Sequence, residues 1–433
     1  MQYRGLTALL AMSLCAQAAI IYVPGDQPTI QGGIDAAQDG DVVQVSTGRY
    51  QERIDFINKA IEVRGEANTV IDASSLPSAS AGGVVRFSSG EGPGSVLTGF
   101  TITGGWAKNG GGIYCSQSSP TLSNCTIKEN FASVTGGGIY CWYASSPTLT
   151  DCIIADNSAD WYGGGISVGS LSTPTLTRCV IRGNWSWHGG GLSCSNASPN
   201  LTRCLITENE ASIDAGGVEC STGAAPTLTN CVIKNNGAAG SGGGLVCYYA
   251  PPTLTHCTIA DNDAAIDGGG IRCLDTASPA RTHPICVDKR GGDGAGGIRG
   301  SSTVPTLTNC TIVGNRSRYG GGIYCVNAPS PMLTNCILWG DTPTEISGGS
   351  PALSYCDIQG GYFGDGNIDA APKFRSYRGY DYVLWPGSPC IDSGTGEDDG
   401  IPWNRVHPTY GRYNLPAPDM GTYGGPFNLG WRP

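Results

Sequence analysis

Short apolar runs at a fixed spacing dominate the middle of the chain. In the copy that begins at Pro147, Cys152 and Ile154 are two residues apart, and so are Ile166 and Val168. This spacing is typical of side chains on one face of a β-strand. Because no segment keeps the apolar period of a helix over several turns, the pattern predicts short strands.

The copies recur at a nearly constant interval of about 26 residues, which indicates a solenoid. Leu149 is out of phase with Cys152, so a bend is predicted near Asp151, with three strands in each copy. A coil of this length and strand number predicts a parallel β-helix. The repeated Pro-x-Leu-x-x-Cys unit begins at Pro120, Pro147, Pro174, Pro199, Pro226, Pro252, Pro305, Pro331 and Pro351.

An Asn recurs at a constant distance after the first Cys of the copies. Asn tolerates the left-handed turn conformation, and its amide can bond to the coils above and below. The sequence therefore predicts an internal ladder of Asn side chains. Its members are Asn130, Asn157, Asn184, Asn209, Asn236, Asn262 and Asn315.

Most of the nineteen Cys residues fall into two rows that share a strand face with Ile. Stacked Cys can act as small buried apolar side chains, and parallel Cβ vectors do not favour disulfides. We expect mostly free buried thiols, with disulfides as the alternative. One row is Cys125, Cys152, Cys179, Cys204, Cys231, Cys257, Cys310 and Cys336, and the other is Cys115, Cys141, Cys194, Cys220, Cys247, Cys273 and Cys325.

The run Ile-x-x-Asn-x-Ala, at Ile127 to Ala132 and at Ile154 to Ala159, leads into Gly-Gly-Gly-Ile. It resembles the repeat of polymorphic outer-membrane proteins and, more broadly, secreted bacterial right-handed β-helix proteins with the pectin-lyase-like fold. The resemblance and the rule for parallel crossovers imply a right-handed coil. The expected fold class is all-β, a single-stranded right-handed parallel β-helix with an N-terminal cap.

Four segments follow from these patterns. Residues 1–19 read as a signal peptide, with Arg4 before a short apolar run, and residues 20–105 as the N-terminal cap and first coils. Residues 106–356 hold the regular repeats, and residues 357–433 form a non-repeating C-terminal segment. The copy at 279–304 keeps its length but loses the pattern, as a variant coil or a reading-frame error would.

The N-terminal cap is predicted to contain one short helix. Ile30, Ile34 and Ala37 would lie on one side of it and cover the open end of the solenoid.

The net charge and the predicted signal peptide limit where the protein is located and what it binds. A formal net charge of −10 and a pI of about 4.9 argue against nucleic acid and anionic membranes as partners. We expect a secreted protein, extracellular or at the cell surface. We also expect a monomer with no transmembrane segment in the mature chain.

Aromatic residues gather between the predicted strands, where we expect turns. Exposed Trp is unfavourable without a partner, so these rings either stack on sugar rings or cover one another. The candidates for ligand binding are Trp142, Tyr143, Trp161, Tyr162, Trp185 and Trp187.

Two groups of charged residues are weaker candidates. Asp151, Arg178 and Arg203 precede the first Cys of successive copies and could serve catalysis, or form a salt bridge at a corner. Glu129 and Asp156 occupy equivalent positions in adjacent coils and could share a Ca²⁺ ion, or be solvated turn charges. Ca²⁺ is the one cofactor that the sequence suggests.

Two functions remain open. The regular coils favour a binding protein that engages polysaccharides or cell-surface glycans, because enzymes usually carry long loops that build a cleft. The alternative is a polysaccharide lyase or glycoside hydrolase acting on acidic, pectin-like polysaccharide. Only the fold favours the enzyme, since no clear pair of catalytic acid and base stands out.

Overall fold

The structure is a computed structural model that describes residues 18–79 and 82–240 continuously, and shorter segments beyond. Residues 1–17, most of the predicted signal peptide, and the predicted ladder residue Asn315 lie outside the described residues. The later described segments are 242–248, 250, 252–255, 257–265, 271–274, 280–282, 285–291, 298–300, 306–309, 311–313, 323–325, 332–340, 344–347, 351–377, 380–385, 387–391, 393–395 and 420–421.

The described residues form short strands and one helix. Those of the N-terminal part are β1 (Ile20–Val23), α1 (Ile30–Ala36), β2 (Val42–Val45), β3 (Arg49–Tyr50), β4 (Ile54–Asp55), β5 (Glu62–Asp72), β6 (Val85–Phe87), β7 (Val96–Thr103), β8 (Trp106–Asn109) and β9 (Ile113–Ser116). The next coils contain β10 (Thr121–Ser123), β11 (Thr126–Lys128), β12 (Phe131–Thr135), β13 (Ile139–Trp142), β14 (Thr148–Thr150), β15 (Ile153–Ala155), β16 (Ser158–Ala159), β17 (Ile166–Gly169), β18 (Thr175–Thr177), β19 (Val180–Arg182), β20 (Trp185–His188), β21 (Leu192–Ser195), β22 (Asn200–Thr202), β23 (Leu205–Thr207), β24 (Glu210–Asp214), β25 (Val218–Ser221), β26 (Thr227–Thr229), β27 (Val232–Lys234), β28 (Gly237–Ala238) and β29 (Leu245–Tyr248). The remaining strands are β30 (Thr253–Thr255), β31 (Thr258–Ala264), β32 (Ile271–Leu274), β33 (Ala280–Thr282), β34 (Ile285–Gly291), β35 (Ile298–Gly300), β36 (Thr306–Thr308), β37 (Thr311–Val313), β38 (Ile323–Cys325), β39 (Met332–Thr334), β40 (Ile337–Trp339), β41 (Ile346–Ser347), β42 (Ala352–Ser354), β43 (Asp357–Ile358), β44 (Phe374–Tyr377) and β45 (Tyr380–Leu384).

Helix α1 packs against β1, β2 and β4 at the N-terminal end. The Thr29 hydroxyl caps it by accepting a hydrogen bond from the Gly32 N–H at 3.0 Å. Ile30 and Ile34 are fully buried, and Ala37 is nearly so, which confirms the helix and its predicted apolar side.

The five coils that begin at Pro120, Pro147, Pro174, Pro199 and Pro226 each contain four strands, so the prediction of three was wrong for them. In the coil at Pro147 they are β14, β15, β16 and β17, and we call their equivalents in all coils the first to fourth ranks. The predicted bend is confirmed, because Asp151 between β14 and β15 has a φ of 53°. The additional strand is the third. From β12 onward it comes directly after the ladder Asn, and the rank comprises β8, β12, β16, β20, β24 and β28.

The sequence does not predict the third rank, because the inward side chains of this rank are small. They give no apolar alternation that would mark a strand, yet parallel pairing with both neighbouring coils holds the backbone extended. These inward residues are Ala107, Ala132, Ala159, Ser186, Ala211 and Ala238.

The coils stack as two parallel sheets within the described residues. A sheet of 31 strands contains the first three ranks, and a sheet of 12 strands contains the fourth. The register pairs equivalent residues of successive coils, so that Leu122 pairs with Leu149 and Leu149 with Leu176. The irregular copy also stacks, because β33, β34 and β35 pair in parallel with the strands of both neighbouring coils. Strands β44 and β45 form a separate antiparallel pair.

The Asn ladder is confirmed as an internal chain of hydrogen bonds. Asn157 is 1% exposed, and its Nδ2 donates to the Oδ1 of Asn184 at 3.0 Å and to the Ile127 carbonyl at 2.9 Å. Equivalent side-chain bonds join each described Asn from Asn130 to Asn262. The ladder therefore satisfies turn groups that would otherwise be buried without a partner.

The Cys rows face the interior, as predicted. Every Cys whose burial the structure describes is buried, from Cys115 to Cys390. In the first row, Cys152 and Cys179 lie at 0% exposure beside the buried Ile154 and Ile181. These thiols behave as small core side chains.

Candidate functional site

The outward face of the third rank carries large exposed aromatic rings. Trp106 is 59% exposed and meets the edge of Phe131 on the next coil, with ring centroids 6.0 Å apart. Two coils further on, Trp185 pairs with Ser158 in the same outward column. Trp106 and Phe131 are not among the predicted site residues, because the sequence pattern does not predict a strand at the third rank.

Two more rings extend this face. The centroids of Trp161 and Trp187 lie 4.5 Å apart at an interplanar angle of 54°, and Trp161 remains 43% exposed. We call them the Trp pair. Trp185 and Trp187 belong to β20, so their predicted place in a turn was wrong. Trp161 does lie between strands, at the bend that leads from β16 to β17.

A second group of aromatic rings lies on the fourth rank. Trp142 ends β13, and its ring stacks on Tyr140 with centroids 5.6 Å apart. It also covers the neighbouring coil, because a Cβ on Gly169 would lie 2.0 Å from the Trp142 ring. Tyr143, in the turn that follows, is 61% exposed and meets the edge of Trp142. Trp142 thus acts partly as a cover for the solenoid, and Tyr143 as its exposed neighbour.

A polar group, which we call the bend cluster, lies where the third rank turns into the fourth. Tyr162, His188 and Asp214 come from three successive coils and pair in register. The Tyr162 and His188 rings stack with centroids 5.3 Å apart. Asp214 accepts a hydrogen bond from the Tyr248 hydroxyl at 2.6 Å. Glu219, the fourth member, follows Asp214 in the same coil on β25.

Glu219 is the most deeply buried side chain of this cluster. It is 4% exposed and accepts a hydrogen bond from the Ser193 hydroxyl at 2.8 Å. Burial raises the pKa of Glu219 to about 7, and the negative charge of Asp214 adds to the rise. The carboxyl group is therefore partly protonated at neutral pH.

The two rings of the cluster respond to the same surroundings. Burial raises the pKa of Tyr162, and the charge of Glu219 contributes further. Burial lowers the pKa of His188, although the charge of Asp214 opposes the change. The imidazole is therefore mostly neutral at pH 7. Its Nδ1 is buried and has no hydrogen-bond partner among the described residues.

Two of the three candidate catalytic residues, Asp151 and Arg178, form an ion pair at a corner. Arg178 donates two hydrogen bonds to Asp151 on the adjacent coil, at 2.7 and 2.6 Å, and both side chains are about two-fifths exposed. Hydrogen bonding to Arg178 lowers the pKa of Asp151, and the same bonds raise the pKa of Arg178. Both groups thus stay charged at neutral pH. Catalysis by Asp151, Arg178 and Arg203 stays a prediction.

The Ca²⁺ site at Glu129 and Asp156 also stays a prediction. Glu129 pairs with Lys128 at 3.0 Å, and Asp156 lies over Gly183, where a Cβ would come within 2.4 Å of its Oδ1. Both occupy left-handed turns, with φ of 55° and 56°. Within the described ranges, no group of three or more His, Cys, Asp or Glu side chains could hold a metal ion.

Tyr162 was predicted from the sequence to bind a ligand, whereas His188, Asp214 and Glu219 were not. Tyr162, His188 and Asp214 occupy one repeat position at the end of the third rank, but the residue type there changes from coil to coil, so periodicity does not mark it. The sequence contains one indication of Glu219. It replaces the Ser that stands at the equivalent position in the two preceding coils.

Comparisons with known proteins bear on the fold. The family model described as "Right handed beta helix region" matches residues 53–203 and 160–283, which together span more than half of the chain. A crystal structure of pectate lyase Pel9A matches with 14% identity and a TM-score of 0.45, over 94% of this chain and 96% of that chain. The search against curated proteins gave no match. In the part of the chain that the structure describes, no helix has the length and apolar character to cross a membrane.

Proposed function

The chain belongs to the right-handed β-helix family, and on that premise we propose that it is a secreted or cell-surface protein that binds glycans. The observation that carries the proposal is the Trp pair, whose rings lie 4.5 Å apart on the outside of the solenoid. Trp106 extends the same face two coils away and is more than half exposed.

Stacking on sugar rings explains why such residues stay outside the core. The C–H faces of a pyranose are apolar and fit the flat face of an indole, which offers a large apolar area and a polar N–H at its edge. Trp161 and Trp187 shield each other only in part, because their planes are inclined at 54° and Trp161 keeps 43% of its surface exposed. A polymer running along the coils would meet further rings at Trp185 and Trp106.

Location and partners follow from the sequence. The predicted signal peptide at 1–19 supports export, and a net charge of −10 disfavours nucleic acid and anionic membranes. The fourth-rank rings, Trp142 and Tyr143, are a secondary contact surface in this proposal. They are weaker candidates because Trp142 already covers Gly169.

The proposal is tested with the double variant Trp161→Ala/Trp187→Ala. Binding to a panel of soluble polysaccharides, measured by isothermal titration calorimetry on the purified chain, is expected to weaken by roughly ten-fold or more. The matched control is Trp385→Ala, which removes a Trp of similar exposure, 52%, outside the coils. It should leave binding unchanged.

Two results would overturn the proposal. One is wild-type protein that binds no member of the panel. The other is a double variant that binds as tightly as Trp385→Ala while its denaturant midpoint matches that of the wild type.

A further inference from the structure

The bend cluster adjoins the Trp pair along the chain. Trp161 is followed by Tyr162, and Trp187 by His188, so each coil contributes one indole and one cluster residue in succession. Consecutive Cα atoms are about 3.8 Å apart, which places both surfaces within the span of a short oligosaccharide. Tyr162 is itself 39% exposed and offers one more ring face.

The cluster is rich in groups that pair with hydroxyls. The Nδ1 of His188 is buried without a partner among the described residues, and an unpaired buried polar atom is costly unless a ligand or water satisfies it. Asp214 is partly exposed beside it, next to Tyr248. The carboxylate of Asp214 can accept hydrogen bonds from sugar hydroxyls, and the half-buried His188 ring lies beside it on the adjacent coil.

The field at the cluster is negative. The charge of Asp214 acts on both Glu219 and His188, and that of Glu219 acts on Tyr162. Glu210, which pairs with Trp185 from the next coil, adds one more carboxylate near the cluster on the third rank. A ligand carboxylate placed here would be repelled, whereas a hydroxyl or an ammonium group would not.

We infer that the bend cluster is a sugar subsite that accepts neutral and amino sugars and rejects uronates. This inference rests on the proposed glycan binding and adds the class of sugar. The Trp pair supplies apolar stacking without regard to charge. Asp214, with His188, supplies the polar contacts that set the preference.

The test compares three oligosaccharides of equal length, built from glucose, glucosamine and galacturonate. Calorimetry on the wild-type chain at low salt should rank them glucosamine first, glucose second and galacturonate last. The preference for glucosamine over galacturonate should be roughly ten-fold or more, and it should shrink as salt is raised. This salt series needs no variant and so does not depend on the folding of one.

Asp214→Asn should reduce that preference several-fold, because it removes the charge that attracts an ammonium group and repels a carboxylate. The matched control is Glu208→Gln, which removes the same charge from an exposed turn of the same coil, outside the cluster. Its preference should equal that of the wild type.

Equal affinity for galacturonate and glucose in the wild type would overturn the inference, and so would equal effects of Asp214→Asn and Glu208→Gln. If sugars bind in a Trp-dependent manner without that preference, the subsite fails and the proposed function stands. If none of the three sugars binds and the polysaccharide panel is also negative, both fail.

Discussion

The inside of the solenoid and the outer face of its third rank follow opposite rules. Inside, residue after residue repeats, as in the buried Leu122, Leu149 and Leu176. Outside, successive positions of one column are Trp106, Phe131, Ser158, Trp185 and Glu210. The repeat therefore describes the fold, and the departures from it mark the surface that differs from coil to coil.

Stacking explains the difference. In a parallel register each interior side chain lies about 4.8 Å from its equivalent above and below, so a coil that changes one residue disturbs two neighbours. An outward side chain packs mainly against solvent and is free to vary. Variation on one narrow face, where rings accumulate, is what a binding surface requires.

Breaking the interior should have the largest effect on stability. Asn184→Ala removes four side-chain hydrogen bonds, to Asn157 (two), Ile154 and Asn209. At about 1 kcal/mol each, the free energy of unfolding should fall by roughly 4 kcal/mol. Chemical denaturation followed by circular dichroism measures the loss.

The matched control is Asn200→Ala, because Asn200 is exposed on the first rank between Thr175 and Thr227. Its midpoint should shift little. Equal losses for the two variants would mean that the ladder contributes no more than an exposed Asn.

Removing the buried carboxyl group of Glu219 should change the free energy of unfolding by a smaller amount that depends on pH. The pKa of Glu219 is about 7 in the folded protein, against 4.5 for the unfolded chain. The folded state holds this proton more tightly, so stability falls as the pH rises from 4.5 through 7, by about 3 kcal/mol in all. Glu219→Gln should lose that dependence and be the more stable form at pH 8.

The measurement is the urea midpoint of both proteins at pH 4.5, 6, 7 and 8, compared as a difference so that other groups cancel. Tyr162, His188 and Asp214 face Glu219 and remain in both proteins. Parallel pH profiles for wild type and variant would contradict the assignment of the titration to Glu219.

The smallest stability effect is expected at the outer corner. Asp151→Asn breaks an exposed ion pair with Arg178, so the free energy of unfolding should change by about 1 kcal/mol or less. The wild-type protein tests the alternative function. Incubation with polygalacturonate should give no unsaturated uronate absorbance from the wild type, and hence none from the variant.

A lyase signal in the wild type that disappears in Arg178→Ala would establish the enzyme in place of the binder. Arg203→Ala is the matched control. It removes an Arg from the equivalent corner of the next coil and leaves the ion pair between Arg178 and Asp151 intact.

The sequence was sufficient for the parts of the molecule that repeat. The bend at Asp151, the helix with Ile30 and Ile34, the Asn ladder and the inward Cys rows all follow from periodicity, and all are confirmed. Periodicity works here because stacking imposes one environment on every copy of a position.

The site was less accessible to the same reasoning. Trp161, Tyr162 and Trp187 could be named as exposed aromatics, but not paired, because ring geometry depends on how β20 and its neighbours run. The third rank was missed since Ala132 and Ala159 give it no apolar signal.

Sequence alone determined the parallel coil, its period and its interior, because each of these depends on local alternation repeated at one interval. The meeting of His188, Asp214 and Glu219, and the raised pKa of Glu219, were decided by the tertiary structure alone. The physical reason is that burial and charge at this bend come from several coils at once, and no single coil of the sequence contains them.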